Sequence, residues 1–349
     1  MYLSYFLATF LLSLILTFCV AWMMRRFEIV DLPRVLGRKI HKKMIPLGGG
    51  LAIFASFFII VGLAFVEGSR LGQEITSRSM LGLLIGSLIL MVGGFLDDKY
   101  NLRPRYQFLF PILAALSVIV FGIGIPAVTN PSGGLIDLST IRIPVDGLGN
   151  VVLFADLLVF IWLIGMMYTT KFLDGLDGLV AGITGIGALV IFFLCLQKQW
   201  FQPEIALVSI IFAGACLGFL VWNWHPAKIF LGEGGSLFAG FILGTLAIIS
   251  GGKITATLLI VGVPMLDLIR VVIRRLQNKK PIYIGDSEHL HFRLLESGLS
   301  HKQSVLLLYS ISFLFGLCAL FLQSSEKLIA LSFLFILMLL VGVWFSRKK

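Results

Sequence analysis

The chain has 349 residues, 58% of them hydrophobic and 13% charged, with a mean hydropathy of +1.00 and a net charge of +10. A soluble domain carries roughly a quarter charged residues, so this chain lacks the polar surface that a water-soluble fold of its size requires. Its positive charge reads as membrane-loop charge and not as a nucleic-acid footprint, since no basic and aromatic groove for single strands is visible.

A membrane-spanning helix takes roughly 20 apolar residues. The first run, residues 2–24, lacks a basic start and a small-residue cleavage site, so it reads as a retained helix. Further runs fall near 47–66, 80–96, 107–125, 150–168, 179–197, 205–223, 235–250, 254–272, 304–323 and 327–346. The expected architecture is one all-α polytopic bundle over residues 1–349 with eleven spans, or ten if one of the three short or glycine-rich runs is broken. Cys19, Cys195, Cys216 and Cys318 all sit inside these runs, without metal spacing or a disulfide framework. The segment 126–149 is polar and contains Gly and Pro, which suits a short hairpin.

With the N-terminus outside, alternation sorts the charges. Inner loops 25–46, 97–106, 169–178, 224–234 and 273–303, with the flanking Arg270 and the C-terminal Arg347, Lys348 and Lys349, hold 22 of the 28 Lys and Arg residues. Only Arg70, Arg78, Arg142, Lys198, Lys253 and Lys327 fall outside. This agrees with the positive-inside rule and puts the C-terminus in the cytoplasm. The same alternation places all five histidines inside, together with Asp97, Asp98, Asp174, Asp177, Glu233, Asp286 and Glu288, and Asp267 near the inner end of its helix.

Five stretches carry candidate chemistry. The first inner loop runs from Asp31 and Pro33 through Arg38, Lys39, His41, Lys42 and Lys43 to Gly48-Gly49; topology-setting charge is its plain alternative reading. Gly93-Gly94-Phe95-Leu96-Asp97-Asp98 ends the third run, and two adjacent carboxylates at a membrane edge are best offset by a divalent cation. A solvated helix end would be the bland alternative. Arg103 and Arg105 follow at a depth suited to phosphate or anionic headgroups. In Asp174-Gly175-Leu176-Asp177-Gly178 the two acids share a face if the segment is helical, and a polar turn is the alternative. Pro226-Ala227-Lys228-Ile229-Phe230-Leu231-Gly232-Glu233-Gly234-Gly235-Ser236 resembles a glycine-rich turn that opens a helix toward an anion, although it lacks a Walker ending; a packing cluster is the alternative. Asp286-Ser287-Glu288-His289-Leu290-His291-Phe292-Arg293 suits phosphate binding or acid–base work. Its His-x-His spacing lacks the further close ligands that zinc would require.

Taken in order, from about Asp31 to Ser304, these stretches resemble the polyprenyl-phosphate N-acetylhexosamine-1-phosphate transferase family, which includes enzymes that start O-antigen and teichoic-acid linkage synthesis and the muramoyl-pentapeptide transferases. The resemblance implies a Mg2+-dependent reaction, with Mn2+ as an alternative ion, in which a membrane polyprenyl phosphate attacks a UDP-sugar and releases UMP. It implies a multi-pass protein of the cytoplasmic (inner) membrane, often a homodimer, with the site facing the cytoplasm. Asp97 and Asp98 match the paired aspartates at the metal and the lipid phosphate, with Asp97 as the residue that deprotonates that phosphate. Asp174 and Asp177 match the Asp-Gly-x-Asp-Gly pair, with Asp177 on the uracil side. Phe230 matches an aromatic that stacks on uracil, and His289 and His291, with Arg293 beside them, match the histidine loop at the pyrophosphate or sugar. His41 and Lys43 fall in the basic first loop and are carried as substrate contacts.

Three departures stand out. Glu233 replaces the usual Asp metal ligand. Lys171 and Tyr168 replace two Asn residues, and Lys171 becomes a candidate substrate contact. Phe292 stands where many members have another His. Asn101 stands where the muramoyl-pentapeptide branch carries Lys, which favours the hexosamine-1-phosphate branch. Two other readings remain at this stage, a flippase of anionic lipid-linked sugar and a homologue that binds UDP-sugar without turnover.

Overall fold

The computed structural model describes residues 1–32, 44–67, 71–72, 74–125, 127–129, 134–138, 140–145, 149–251, 253–279, 289–322 and 324–347. His41, Lys43, Asp286 and Glu288 lie outside the described residues.

Each of the eleven apolar runs is a helix: α1 (Tyr2–Arg26), α2 (Gly50–Val66), α3 (Ser77–Tyr100), α4 (Pro104–Val120), α5 (Leu153–Leu173), α6 (Leu179–Leu196), α7 (Pro203–Asn223), α8 (Glu233–Ile249), α9 (Ile254–Gln277), α11 (His301–Phe321) and α12 (Ser324–Arg347). A short α10 (Leu290–Glu296) precedes α11. Among the described residues, seven helices are long and apolar enough to cross a membrane, while α2, α4 and α8 are shorter apolar helices. Two small antiparallel hairpins, β3 (Ala127–Thr129) with β4 (Leu135–Asp137) and β5 (Arg142–Val145) with β6 (Gly149–Val152), fill the connection before α5. At the other end of the bundle, β1 (Val30–Asp31) pairs with β2 (Ile45–Pro46).

The packing is that of a protein whose solvent is lipid. The outward positions of α1 are Leu3, Leu7, Leu11, Ile15 and Phe18, all exposed. Its buried positions are Thr9, Ser13, Thr17 and Ala21, one turn apart, with Met24 near the helix end. This inverts the soluble pattern, because lipid provides no hydrophobic drive between helices and close approach of small residues takes over. The partner is α7, where Gly214 and Gly218 meet the backbone of Phe6 and Phe10, and the Ser13 hydroxyl donates to the Ala215 carbonyl at 2.7 Å. Helices α6, α7 and α8 are buried along most of their length and form the centre of the bundle. The end that carries the two hairpins is fastened by polar groups: Glu204 Oε2 accepts from the backbone N–H groups of Gly72, Glu74 and Ile75 at 2.9–3.0 Å. Asp156 caps α5 by accepting the Val152 N–H at 2.8 Å.

Glycine pairs bring three helix ends together where the acidic residues lie. A Cβ on Gly94 of α3 would strike the backbone of Gly234 at the start of α8, and one on Gly50 of α2 would strike Gly235. The obstacle in both cases is backbone, which no rotamer change relieves. Gly94→Ala should therefore destabilise the protein by about 1–3 kcal/mol, the usual cost of overpacking. Gly62→Ala, with nothing within 4 Å of the added carbon, should leave the melting temperature in detergent unchanged. Equal melting temperatures for both variants would show that the α3–α8 approach is looser than described.

Candidate active site

Helix directions decide which loops meet. The C-terminal ends of α3, α5 and α7 and the N-terminal ends of α6, α8 and α11 lie at one end of the bundle. They surround a cavity of about 950 Å³ whose lining includes Asp31, Asp98, Asp174, Asp177, Phe230 and Glu233. Three stretches far apart in sequence thus share one wall.

The start of α8 is held by an acid rather than left open. Gly232, with φ +79°, turns the chain into the helix, and Asp98 Oδ1 accepts the Glu233 N–H at 3.1 Å. The preceding loop is stitched to β2 and to the start of α2: Phe230 N–H donates to the Pro46 carbonyl at 2.9 Å, Gly49 N–H to Phe230 at 2.9 Å and Gly50 N–H to Leu231 at 2.8 Å. Phe230 is positioned through its backbone, with its side chain on the cavity wall.

Asp174 and Asp177 do not share a helical face. Helix α5 ends at Leu173, Asp174 is its C-cap, and Gly178 with φ +82° caps α6. The pair therefore sits on a turn, because two glycines within five residues favour a reversal over another helical turn. Asn223 pins this turn by accepting the Gly178 N–H at 2.9 Å while donating to the Ile229 carbonyl at 2.9 Å. The Tyr309 hydroxyl donates to the Gly178 carbonyl at 2.5 Å. Asp174 is exposed to the cavity; the protein crowded around it, and then the charges of Glu233, Asp98 and Asp177, push its carboxyl above the usual carboxylate range. Asp98, Asp174 and Glu233 thus form a carboxylate cluster whose mutual repulsion a cation would relieve, and the donor set fits Mg2+, a hard ion that takes oxygen ligands.

Asp97 stands apart from the cavity lining. Its Oδ1 accepts the Leu102 N–H at 2.7 Å and the Gln107 amide at 3.0 Å, which closes the turn between α3 and α4. Gln107 in turn accepts from Lys171 Nζ at 3.3 Å, and Lys171 forms an ion pair with Glu233. Two of the departures from the family pattern therefore answer each other, the added lysine meeting the longer acid. Lys171 also lies 5.7 Å from the ring centroid of Tyr168, which departs from the pattern together with it and whose own ring is 5.1 Å from that of Phe108.

The histidines fall into two groups. His289 is buried and shares a 3.0 Å hydrogen bond with Asp267 Oδ2, which also accepts the Leu290 N–H at 2.9 Å. The His289 ring stacks on Phe172 at 5.4 Å and on His291 at 5.7 Å. His291 packs onto Gly175, its Nε2 buried without a hydrogen-bond partner among the described residues. Arg293 is buried nearby in the same short helix. Burial first, and His289 next, push the His291 imidazole down to about 3 against the opposing pull of Asp267. His291 is thus neutral near pH 7, a hydrogen-bonding group and not a cation. Because it protonates near 6.5 in the unfolded chain and near 3 in the fold, its contribution to stability is complete above the higher value and is lost as pH falls toward the lower. His291→Gln should lose less melting temperature than wild type between about pH 7 and pH 5. Identical acid sensitivity would show that His291 does not titrate this way.

Sequence reasoning did not single out Asn223, Gln107, Asp267, His225 or His301 as site residues. Their signal is weak, since each acts through a partner distant in sequence. His225 Nδ1 lies 2.6 Å from Asp177 Oδ2, which also accepts the Ala227 N–H at 3.1 Å.

The fold and this site define a polytopic helical membrane protein with an acidic cavity at one end of its bundle. The Glycosyl transferase family 4 model matches residues 80–251. Over 344 residues the chain is 33% identical to a probable undecaprenyl-phosphate N-acetylglucosaminyl 1-phosphate transferase of Bacillus subtilis, covering 97% of this chain and 89% of that one. It is 32% identical over 311 residues to a decaprenyl-phosphate N-acetylglucosaminephosphotransferase of Mycobacterium leprae, covering 81% and 74%. A phospho-N-acetylmuramoyl-pentapeptide-transferase of Halalkalibacterium halodurans is 31% identical over 339 residues, covering 90% and 97%. The chain belongs to glycosyl transferase family 4.

Proposed function

We propose that this protein transfers N-acetylglucosamine-1-phosphate from a UDP-sugar to a membrane polyprenyl phosphate. The observation that carries the reading is the convergence of Asp98, Asp174 and Glu233 on one wall of a cavity that Phe230 also lines. The relatives in Bacillus subtilis and Mycobacterium leprae, named for this chemistry with undecaprenyl and decaprenyl phosphate, support it.

In the proposed reaction an oxygen of the lipid phosphate forms a bond to the β-phosphorus of the donor. The bond from that phosphorus to the bridging oxygen of UMP breaks, and UMP leaves with the electron pair. A Mg2+ ion held by Asp98, Asp174 and Glu233 would supply neutralisation of the diphosphate charge. The chain's own part is alignment and charge. Phe230 offers a ring face for the base, Asp177 an acceptor for its polar edge, and Lys171 a cation beside Glu233. His291 offers a neutral ring nitrogen for the sugar or phosphate. Asp97 holds the α3–α4 turn and keeps Asp98 directed at the start of α8, rather than serving as a direct ligand.

The charge distribution supports eleven spans, an outer N-terminus and a cytosolic cavity, where a water-soluble nucleotide sugar meets a lipid at the membrane edge. A transporter would place its ionisable groups near the bilayer centre on broken helices; here they gather at one end.

Membranes containing the protein, given labelled UDP-N-acetylglucosamine, polyprenyl phosphate and Mg2+, should move label into the organic phase with release of UMP. Label transfer that survives removal of polyprenyl phosphate would overturn the acceptor. No UMP release from any UDP-hexosamine would overturn the reaction.

A further inference from the structure

The carboxylate cluster already has a cation at its edge. Lys171 lies in the last turn of α5 and Glu233 in the first turn of α8, the helix ends at which the macrodipole favours a positive and a negative charge. The Lys171 ammonium pairs with Glu233 Oε1 and donates to Gln107 Oε1 at 3.3 Å. Gln107 is itself fixed, its amide nitrogen donating to Asp97 Oδ1 at 3.0 Å. The ammonium is therefore held on the α4 side of Glu233. It does not line the cavity, whereas Asp98, Asp174 and Glu233 all do.

The other charges around the cluster are of one sign. Those acting most on Asp98 are Glu233, Asp97 and Asp31, and those acting most on Asp174 are Glu233, Asp98 and Asp177, all negative. Lys171 thus neutralises one carboxylate of the cluster and leaves the other two to draw a cation from the cavity. A divalent ion that enters there meets a glutamate already engaged from behind by an ammonium. The two cations repel each other, and the protein between them screens that repulsion far less than bulk water would. Each also needs the same carboxylate, so a gain for one is a loss for the other.

We propose that Lys171 is a tethered competitor of the divalent ion: ammonium and ion contend for Glu233, and the ion binds fully only when Glu233 releases Lys171. This rests on the reading of Asp98, Asp174 and Glu233 as the ion's ligands and adds the regulation of that site. Without the ion, Lys171 keeps Glu233 neutralised and the end of α5 tied to the start of α8. With the ion, the carboxylate turns to it, and the ammonium stays near Gln107 and the face of the Tyr168 ring, 5.7 Å away. No covalent bond and no proton moves in this exchange. The consequence is a site that fills only at ion concentrations above those an uncharged side chain at position 171 would require.

The test uses the full-length protein in detergent, stripped with chelator, and needs no turnover. Mn2+ binding is followed by the electron paramagnetic resonance signal of the free ion. Lys171→Met should bind Mn2+ at least about tenfold more tightly than wild type, a modest part of the repulsion between a single and a double charge a few ångströms apart. Lys171→Arg, which keeps the charge, should bind as wild type does. Thermal melting gives a second readout. A given Mg2+ concentration should raise the melting temperature of Lys171→Met by more than that of wild type, since tighter binding to the folded state stabilises it more. A third readout uses wild type alone: acylation of Lys171 by an amine-reactive reagent, read by peptide mass spectrometry, should quicken with Mg2+ and not with Na+ at equal ionic strength. Equal or weaker Mn2+ binding by Lys171→Met would overturn the proposal. So would equal tightening in Lys171→Arg, or acylation of Lys171 that ignores Mg2+. Failure of both wild type and Lys171→Met to bind Mn2+ would overturn it together with the ion site, while label transfer to polyprenyl phosphate tests the transferase reading on its own.

Discussion

Asp98→Asn should lower sugar-phosphate transfer by about 10²–10³-fold, the range seen when one preorganised electrostatic group is removed from an active site, while leaving the melting temperature equal or higher. The two halves of this result come from one arrangement. Asp98 lies beside Glu233, Asp97 and Asp174, and its carboxylate receives the Glu233 N–H at the start of α8. Asparagine keeps the shape and an acceptor oxygen for that N–H, and it removes one negative charge from a crowded group. Stability gains from the relieved repulsion. Activity loses the charge that the cluster directs at the reacting diphosphate. The measurements are initial rate in membranes and thermal melting in detergent. A variant that melts lower and retains full activity would place Asp98 outside the chemistry and inside the packing.

Lys171→Ala should destabilise the protein by about 2 kcal/mol, somewhat less than the 3–5 expected for breaking a fully buried pair. Lys171 and Glu233 are 18% and 19% exposed, which admits some water to either charge. The loss arises mainly from what remains: a Glu233 carboxylate facing Asp98 and Asp97 without its cation. Lys171→Met combined with Glu233→Gln should recover most of the stability, since the double change leaves no orphaned charge. A coupling energy of about 1 kcal/mol or more in the double-mutant cycle would identify the pair as a unit. Additive effects would show that Lys171 acts on something else, the substrate in particular. Activity should fall in every one of these variants, so stability is the readout that discriminates.

This pair also shows where reading the sequence stops. Lys171 and Glu233 each break the family pattern, and separately each looks like a defect in a metal or sugar contact. Sixty-two positions apart, they carry no local sign of belonging together. Their compensation becomes visible only when the end of α5 lies against the start of α8. Asp97 and Asp98 teach the same lesson. As neighbours they appear equivalent, yet successive residues on a helix point about 100° apart. One therefore turns into the α3–α4 loop and the other into the cavity.

The sequence by itself determined the eleven apolar helices, the gathering of acids and histidines at their ends, and the family. Those follow from hydropathy and short motifs, which are properties of contiguous chain. The inverted pattern of α1, with small polar residues inward, follows from composition once lipid is taken as the solvent. Only the tertiary structure decided that Asp174 and Asp177 sit on a turn, that Asp267 holds His289, and that His225 and His301 stack beside Asp177. The turn at Asp174 and Asp177 is local but is pinned by Asn223 and Tyr309 from other helices; the other two contacts join segments remote in sequence, and their geometry depends on helix rotation and crossing, which a one-dimensional pattern does not contain.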